Sequence, residues 1–416
     1  MQSNTDKERF YRIHSTKHGK EGHFYRRGVL LSELETPTCP FPCKMILPDP
    51  LTFESVRRMQ KRPFISVPYS AIVPCLPMLE EYERVRQMGG GLRPFVDFED
   101  SIMLLTFRNV FESKPVGVEG GKFSLYTDST RYFMDEKAAR SAIDLIRPQI
   151  SIVPCEELRM VDSGSWSNRK RARANKLYGS YTEAMADSQT HLISTAHIRI
   201  DGSVSNDNDG VELSGFGYGE SIKERGDALQ GLLQGIDGEK LRILQLQTGT
   251  PLEILHAILL GIDVIVSPYP QLLSKMGIAL TFDLPEDCPG DHGIAEAIEM
   301  LETHCKFGAS ISNDGTCHYV DSISHYIDLN DAKYARAVSE KIHPASICRE
   351  SRGYINHLLI CNEMNGEITV LIHNQGMYEL LFERARRAMD DGTLPSFICE
   401  FIKLNGGRSS GQSQVV

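Results

Sequence analysis

The chain has 416 residues, of which 41% are hydrophobic and 24% charged, a balance that argues against both a disordered polymer and a membrane-embedded protein. Lys and Arg number 45 against 55 Asp and Glu, a net charge of −10, so bulk charge alone does not bind nucleic acid, although a local basic surface remains open. No run approaches the ~18 uninterrupted apolar residues of a membrane span, and residues 1–20 are polar with nothing resembling a secretory signal, so the expectation is a cytoplasmic protein.

Residues 1–27 show no hydrophobic period and are expected to form a flexible terminus. Repeated prolines between residues 28 and 77 favour short strands and turns, and residues 78–87 predict a helix that stops at a glycine run. From residue 150 a unit recurs: an apolar run of strand length, a connection, then an amphipathic helix. Strands are predicted at 150–155, 191–198, 211–218, 241–246 and 263–266, and helices at 168–187, 221–235 and 252–260, the last with Pro251 in its first turn and Gly261 after its end. Serial units of this kind build either a doubly wound open sheet or a closed eight-stranded barrel. No G-x-G-x-x-G follows a strand and no G-x-x-x-x-G-K-[ST] occurs, which removes the two commonest nucleotide-binding loops. Beyond residue 341 the pattern predicts helices at 354–365 and 376–389 flanking a strand at 368–372.

The ten scattered cysteines fit free thiols or a metal site better than a disulfide framework. The tail concentrates His343, Cys348, the run Ser351-Arg-Gly-Tyr-Ile-Asn-His-Leu-Leu359 and the run Leu371-Ile-His-Asn374. Further in, Gly261-Ile-Asp-Val-Ile-Val-Ser-Pro-Tyr-Pro270 precedes Gly277-Ile-Ala-Leu-Thr-Phe282, and Ser214-Gly-Phe-Gly-Tyr-Gly-Glu220 forms a glycine loop. These segments resemble the tRNA-guanine transglycosylase family, with the match running from about residue 28 to 391.

That resemblance implies an α/β fold, an irregular (β/α)8 TIM barrel over 28–340, with a zinc-type subdomain and closing helices over 341–400 and a flexible tail over 401–416. It implies zinc held by His343, Cys348 and His373, a degenerate set because Ala345 stands where the family has a further cysteine. Structural zinc uses a closed four-ligand shell, so two readings stay open: a three-ligand site, or no metal with His373 a core histidine. The family's nucleophilic aspartate is replaced by Val266, which has no lone pair to attack an anomeric carbon. Asp263 matches an earlier aspartate that is not the nucleophile. Gly215, Gly219 and Glu220 match the loop over the base, the pair Glu156-Glu157 falls where the base-reading carboxylate is expected, and Asp100-Ser101 is the nearest match to the general acid/base motif, with bulky Ile102 and Met103 replacing its glycines.

The departures resemble the non-catalytic branch of the family, which pairs in a heterodimer with a catalytic queuine tRNA-ribosyltransferase subunit and serves exchange of guanine for queuine in tRNA with a GUN anticodon. The chain is then no enzyme on its own. Two alternatives stand beside this: an active transglycosylase whose nucleophile has moved to Asp263 or Glu220, and an unrelated barrel enzyme, since fold alone carries no function. Arg169, Lys170, Arg171, Arg173 and Lys176 place five cations in eight residues, either a phosphate-contacting patch for tRNA or a solvated helix face. The family dimerises through the tail, which points to Met364, Met377, Tyr378 and Phe382 as interface residues unless they pack inward.

Overall fold

The computed structural model describes residues 10–18, 24–60, 62–86, 91–112, 114–127, 130–186, 188–196, 208–286, 288, 291–311, 317–321, 323 and 325–406. Eight strands pair in parallel, each with the next in the chain: Phe41–Pro42, Phe64–Pro68, Ile102–Thr106, Ile150–Ile152, His191–Ala196, Gly210–Leu213, Leu241–Gln245 and Val264–Val266. The two ends of this sheet meet, because the Thr38 amide donates to the Asp263 carbonyl at 2.9 Å and the Thr38 carbonyl accepts from the Ile265 amide at 3.0 Å. An α/β barrel results. Its strands are buried on both faces, as parallel strands sheathed by helices must be; along the last two, alternation sends Ile243, Val264 and Val266 to one apolar cluster and Leu244 and Ile265 to another.

The connecting helices start where their sequences supply caps. Ser167 accepts from the Lys170 amide ahead of Asn168–Met185. Ser221 with Glu224, and Thr250 with Glu253, form reciprocal capping boxes before Ile222–Leu233 and Pro251–Leu259. Each satisfies amide donors that a helix start leaves without partners, worth about 1 kcal/mol per cap. Each barrel helix thereby begins beside the carboxyl end of the strand before it, so the inter-strand loops gather at one mouth.

Two expectations about the ends are corrected. Within the supposedly flexible residues 1–27, Tyr11–His18 and Phe24–Leu30 are strands of an antiparallel sheet completed by Leu34–Thr36. In the tail there is no strand at 368–372: one helix runs Met364–Asp390, preceded by Arg352–Ile360 and followed by Leu394–Gly406, which passes the predicted boundary at 400. The run Ile368, Val370 and Leu371 imitates a strand because the helix is enclosed on several sides; Val370 packs with Ile355 and Ala279, whereas Leu371 joins the barrel cluster.

Candidate functional site

The eighth strand carries the two residues that the resemblance matched to the nucleophile motif, Asp263 and Val266, and it holds them at opposite ends. Asp263 precedes the strand on the barrel floor. Its carboxylate accepts from the Tyr11 hydroxyl at 2.7 Å, from Arg26 Nε at 2.8 Å and from the Arg242 amide at 2.7 Å. Both Arg26 and Asp263 are buried, so this group pins the N-terminal sheet to the barrel floor and is far from any mouth chemistry. Val266 closes the strand at the mouth and is 1% exposed.

The third strand ends at Thr106, which delivers Phe107, Arg108 and Asn109 into the loops at the mouth. Phe107 turns outward onto Phe123 and Tyr69. Arg108 turns inward and is buried. Its Nη1 donates to the Phe216 carbonyl at 2.8 Å and to the Gln245 carbonyl at 3.2 Å, lies 3.5 Å from Glu157 Oε1, and its guanidinium carbon stands 4.2 Å from the centre of the Tyr218 ring. The glycine loop makes this possible: Gly217 has φ +82°, and a Cβ there would stand 3.1 Å from the Gln247 amide, so the loop lies directly on the end of the seventh strand. Glu220 holds the loop from beneath, accepting from the Gly217 amide, from the Tyr218 amide at 2.9 Å and from Arg225 Nε at 2.9 Å.

Behind Arg108, Glu212 accepts from Gln245 Nε2 at 3.2 Å, and burial, aided by the nearby Glu157 charge, pushes its carboxyl up to about 8. Glu156 is buried and gripped by Arg173 Nη2, at 2.7 and 3.0 Å from its two oxygens. The cleft between Val266, Cys43, Ser66, Thr106, Arg108 and Asn109 has no room for a water-sized sphere, still less for a purine.

Several sequence-based assignments change here. Asp100 sits before the third strand, at the floor, half exposed and 2.9 Å from Arg57 Nη2, so it is not the mouth residue of that strand. Ile102 and Met103 are ordinary strand core; what fills the mouth is Arg108, two residues past the strand's carboxyl end. The relocated-nucleophile alternative loses both candidates, because Asp263 lies at the wrong end and Glu220 is buried, paired with Arg225 and committed to the loop's amides.

The three proposed zinc ligands lie in one region, each with protein partners. His373 projects from the long helix, with Nε2 donating to the Leu280 carbonyl at 2.7 Å and Nδ1 accepting from the Ser346 hydroxyl at 2.9 Å. Burial lowers its pKa to about 4. His343 Nδ1 accepts from the Ala345 amide at 3.2 Å, which leaves Nε2 to donate to Asp283 at 3.1 Å. The Cys348 thiol faces the Thr369 carbonyl at 3.4 Å, and burial pushes it up to about 12. Zinc takes thiolate and free imidazole lone pairs; here the thiol faces the Thr369 carbonyl and the imidazole lone pairs face the Ser346 hydroxyl and the Ala345 amide. The set as arranged does not fit a zinc ion, and among the described residues no three His, Cys, Asp or Glu side chains gather to hold a metal. Asn374, beside His373, receives the Leu280 amide at 2.8 Å and donates to the Ile278 carbonyl at 2.9 Å, so the His-Asn pair binds the edge of the strand Ile278–Leu280. Ser346, missed in the sequence, supplies the bond that a metal would otherwise replace.

The five cations occupy the start of the helix Asn168–Met185, beside the carboxyl end of the fourth strand and therefore on the mouth side. Arg173 is bound to Glu156, Lys170 stands 5.9 Å from the Trp166 ring, and Arg169 and Lys176 are exposed while Arg171 is half-buried. Among the four expected interface residues, Met377, Tyr378 and Phe382 are buried against the barrel and only Met364 is exposed. Among the described residues, the exposed large apolar groups of the tail are instead Ile347, Tyr354, Ile360, Met364 and Leu404, of which Tyr354, Ile360 and Met364 fall close together in the chain.

A family model described as queuine tRNA-ribosyltransferase matches residues 75–406. The chain belongs to the queuine tRNA-ribosyltransferase family. A queuine tRNA-ribosyltransferase-like protein of Theileria annulata is 41% identical over 404 residues, covering 97% of this chain and 98% of its own. One from Theileria parva is 41% identical over 391 residues, covering 94% and 95%. A bacterial queuine tRNA-ribosyltransferase from Thioalkalivibrio sulfidiphilus is 23% identical over 338 residues, covering 78% and 80%. Membership of this family places the chain in tRNA modification with queuosine, on a barrel scaffold. Among the described residues no helix is long and apolar enough to cross a membrane.

Proposed function

We propose that this family member is the non-catalytic subunit of a heterodimeric queuine tRNA-ribosyltransferase in the cytoplasm, assisting exchange of guanine for queuine in tRNA with a GUN anticodon. The observation that carries this is the mouth itself: Val266 stands at the nucleophile position and Arg108 fills the space beside it, so the barrel keeps the family's frame with neither an attacking group nor room for the base. Its contribution is then surface. Arg169, Lys170 and Lys176 on the rim offer cations to tRNA phosphates, and the tail face of Tyr354, Ile360 and Met364 offers apolar area to the catalytic partner. Zinc is dispensable in this reading, since Ser346, Leu280 and Asp283 already bind the two histidines.

The test is incorporation of labelled guanine or queuine into tRNA with a GUN anticodon, by the purified chain alone and mixed with a catalytic paralogue. Incorporation in the mixture only is the expected result; incorporation by the chain alone overturns the reading.

A further inference from the structure

Between the third barrel strand and the helix Glu136–Ile146 the chain builds a small antiparallel sheet of its own, Gly117–Glu119, Lys122–Thr127 and Thr130–Met134. It follows the strand's carboxyl end and so stands on the mouth side. One face belongs to the core: Phe123, Leu125 and Met134 are buried, with Val118 and Tyr132 packed beside them. The register sets Tyr126 opposite Arg131, and Ser124 opposite both Phe133 and Gly117, so alternation carries Tyr126, Arg131 and Phe133 to the other face. Phe133 is 47% exposed there, and a ring left in water adds little to folding. Its own row holds only Ser124 and Gly117, where a Cβ would meet nothing within 4 Å, so no large side chain stands beside it in that row.

Arg131 lies between the two rings. Its guanidinium carbon stands 4.8 Å from the centre of the Phe133 ring and 5.9 Å from that of Tyr126, and Ser124 and Glu119 hold its nitrogens. Lys114 stands 5.1 Å from the Tyr126 ring. The helix Asn168–Met185, whose start carries the rim cations, is fastened to this sheet, because the Tyr181 hydroxyl donates to the Met134 carbonyl at 2.7 Å and the Tyr181 and Phe123 rings lie 4.8 Å apart. Lys114, Arg169 and Lys176 are exposed and have no carboxylate in ion-pair reach among the described residues, so this stretch of rim is positive on a chain of net charge −10.

We propose that the face of Tyr126, Arg131 and Phe133 is a stacking platform for unpaired bases of an RNA strand, whose phosphates meet the cations at the start of Asn168–Met185. Rings and a guanidinium on a sheet, bordered by lysines and arginines, match the two parts of such a strand: base faces stack on the flat groups whatever their sequence, and the backbone follows the positive charge. A paired RNA helix hides its base faces in its own stack, so it can use the cations but not the rings. The inference rests on the tRNA-binding role proposed above and gives that role a surface outside the barrel mouth. Its test uses the chain alone, without queuine or a catalytic partner, so its failure is separate from failure of the subunit assignment.

The experiment measures fluorescence anisotropy of a short labelled oligouridine and of a blunt RNA duplex of equal length, across a salt series, with full-length wild type, F133L, F133W, Y126L and K176E. F133L and Y126L are expected to weaken oligouridine binding about tenfold, or 1.4 kcal/mol, with an unchanged salt slope and with duplex binding kept; F133W is expected to retain both. K176E should weaken both ligands and lower the salt slope by about 1. Phe133 is exposed, so F133L should keep the wild-type urea midpoint, and the F133L and F133W pair decides the matter if Y126L fails to fold. Oligouridine binding by F133L equal to that of wild type overturns the proposal, as do equal losses on oligouridine and duplex, or a wild type that binds the duplex but not oligouridine. An F133L that binds oligouridine normally while losing the heterodimer would give this face to the protein partner instead.

Discussion

Asp263 and Val266 stand three positions apart and mark the two ends of the eighth barrel strand, the carboxylate bound to Arg26 in the floor and the valine facing the mouth. The segment from Asp263 to Val266 therefore spans the full height of this barrel. The aspartate is bound into the floor by Tyr11, Arg26 and the Arg242 amide, and the mouth end of the strand is apolar.

Restoring the carboxylate is consequently not enough. V266D is expected to leave the isolated chain without guanine incorporation, because Arg108 still occupies the space beside it, and to lower stability by about 3 kcal/mol for burying an acid among Val110, Pro42 and Pro68. Labelled-guanine incorporation and urea unfolding read the two effects. Turnover by V266D alone would show that the mouth admits a base despite Arg108.

D263A tests the floor. Removing the carboxylate strands the buried Arg26 guanidinium and unpairs the Tyr11 hydroxyl, and breaking a buried ion pair from one side costs about 3–5 kcal/mol. The urea midpoint should fall accordingly, with incorporation by the mixture with a catalytic paralogue kept at temperatures where the variant stays folded. A loss below about 1 kcal/mol would mean that the N-terminal sheet is not anchored through this pair.

Much of this was legible in the sequence, and the failures have physical causes. The βα repeat from residue 150 onward was readable because each unit carries its own punctuation, such as Pro251 in the first turn of a helix and Gly261 just past it. Asp100 was misplaced because an Asp-Ser string looks like the motif while the strand's direction, which decides mouth or floor, is invisible until its ends are known. The tail helix read as a strand at 368–372 because a helix buried against several neighbours loses its polar stripe. Arg108 went unseen because nothing in a sequence says that an arginine points inward; only its burial among the loops after the third, fourth, sixth and seventh strands does.

Glu212 gives the mouth a pH dependence with a defined sign. Its folded-state pKa, about 8, lies above the ordinary value of 4.5, so between those values the unfolded chain has released a proton that the folded one retains. Stability contributed by this site is therefore complete below about pH 4.5 and declines as pH rises toward 8. E212Q removes the titration while keeping an acceptor for Gln245. Relative to wild type it should gain stability steadily from pH 5 to pH 8, and a difference that stays flat across that range would rule out a neutral Glu212.

The hydrogen-bonded tail predicts indifference to chelators. EDTA should leave the melting temperature unchanged and purified protein should carry far less than one zinc per chain, whereas H373A should cost about 2 kcal/mol by leaving the Leu280 carbonyl and Ser346 hydroxyl without their partner. Stoichiometric zinc by elemental analysis, together with a chelator-induced fall in melting temperature, would establish the metal reading instead.

The last prediction concerns assembly. Tyr354 and Ile360 lie on the helix Arg352–Ile360, and Met364 begins the long helix immediately after the turn at Asn362. Their exposures of 52%, 59% and 67% put three large apolar side chains in water within eleven residues, whereas Met377, Tyr378 and Phe382 spend theirs on the core. Exposed apolar groups contribute little to folding but a great deal to association once a partner removes them from water. I360E combined with M364E should therefore leave the urea midpoint of the isolated chain within about 0.5 kcal/mol of wild type while weakening heterodimer formation in sedimentation by more than about tenfold. Charging buried Phe382 should do the reverse, destabilising the chain before any effect on pairing. If both surface charges left the heterodimer mass intact, the partner would have to dock elsewhere, and the rim cations beside the mouth would be the next surface to test.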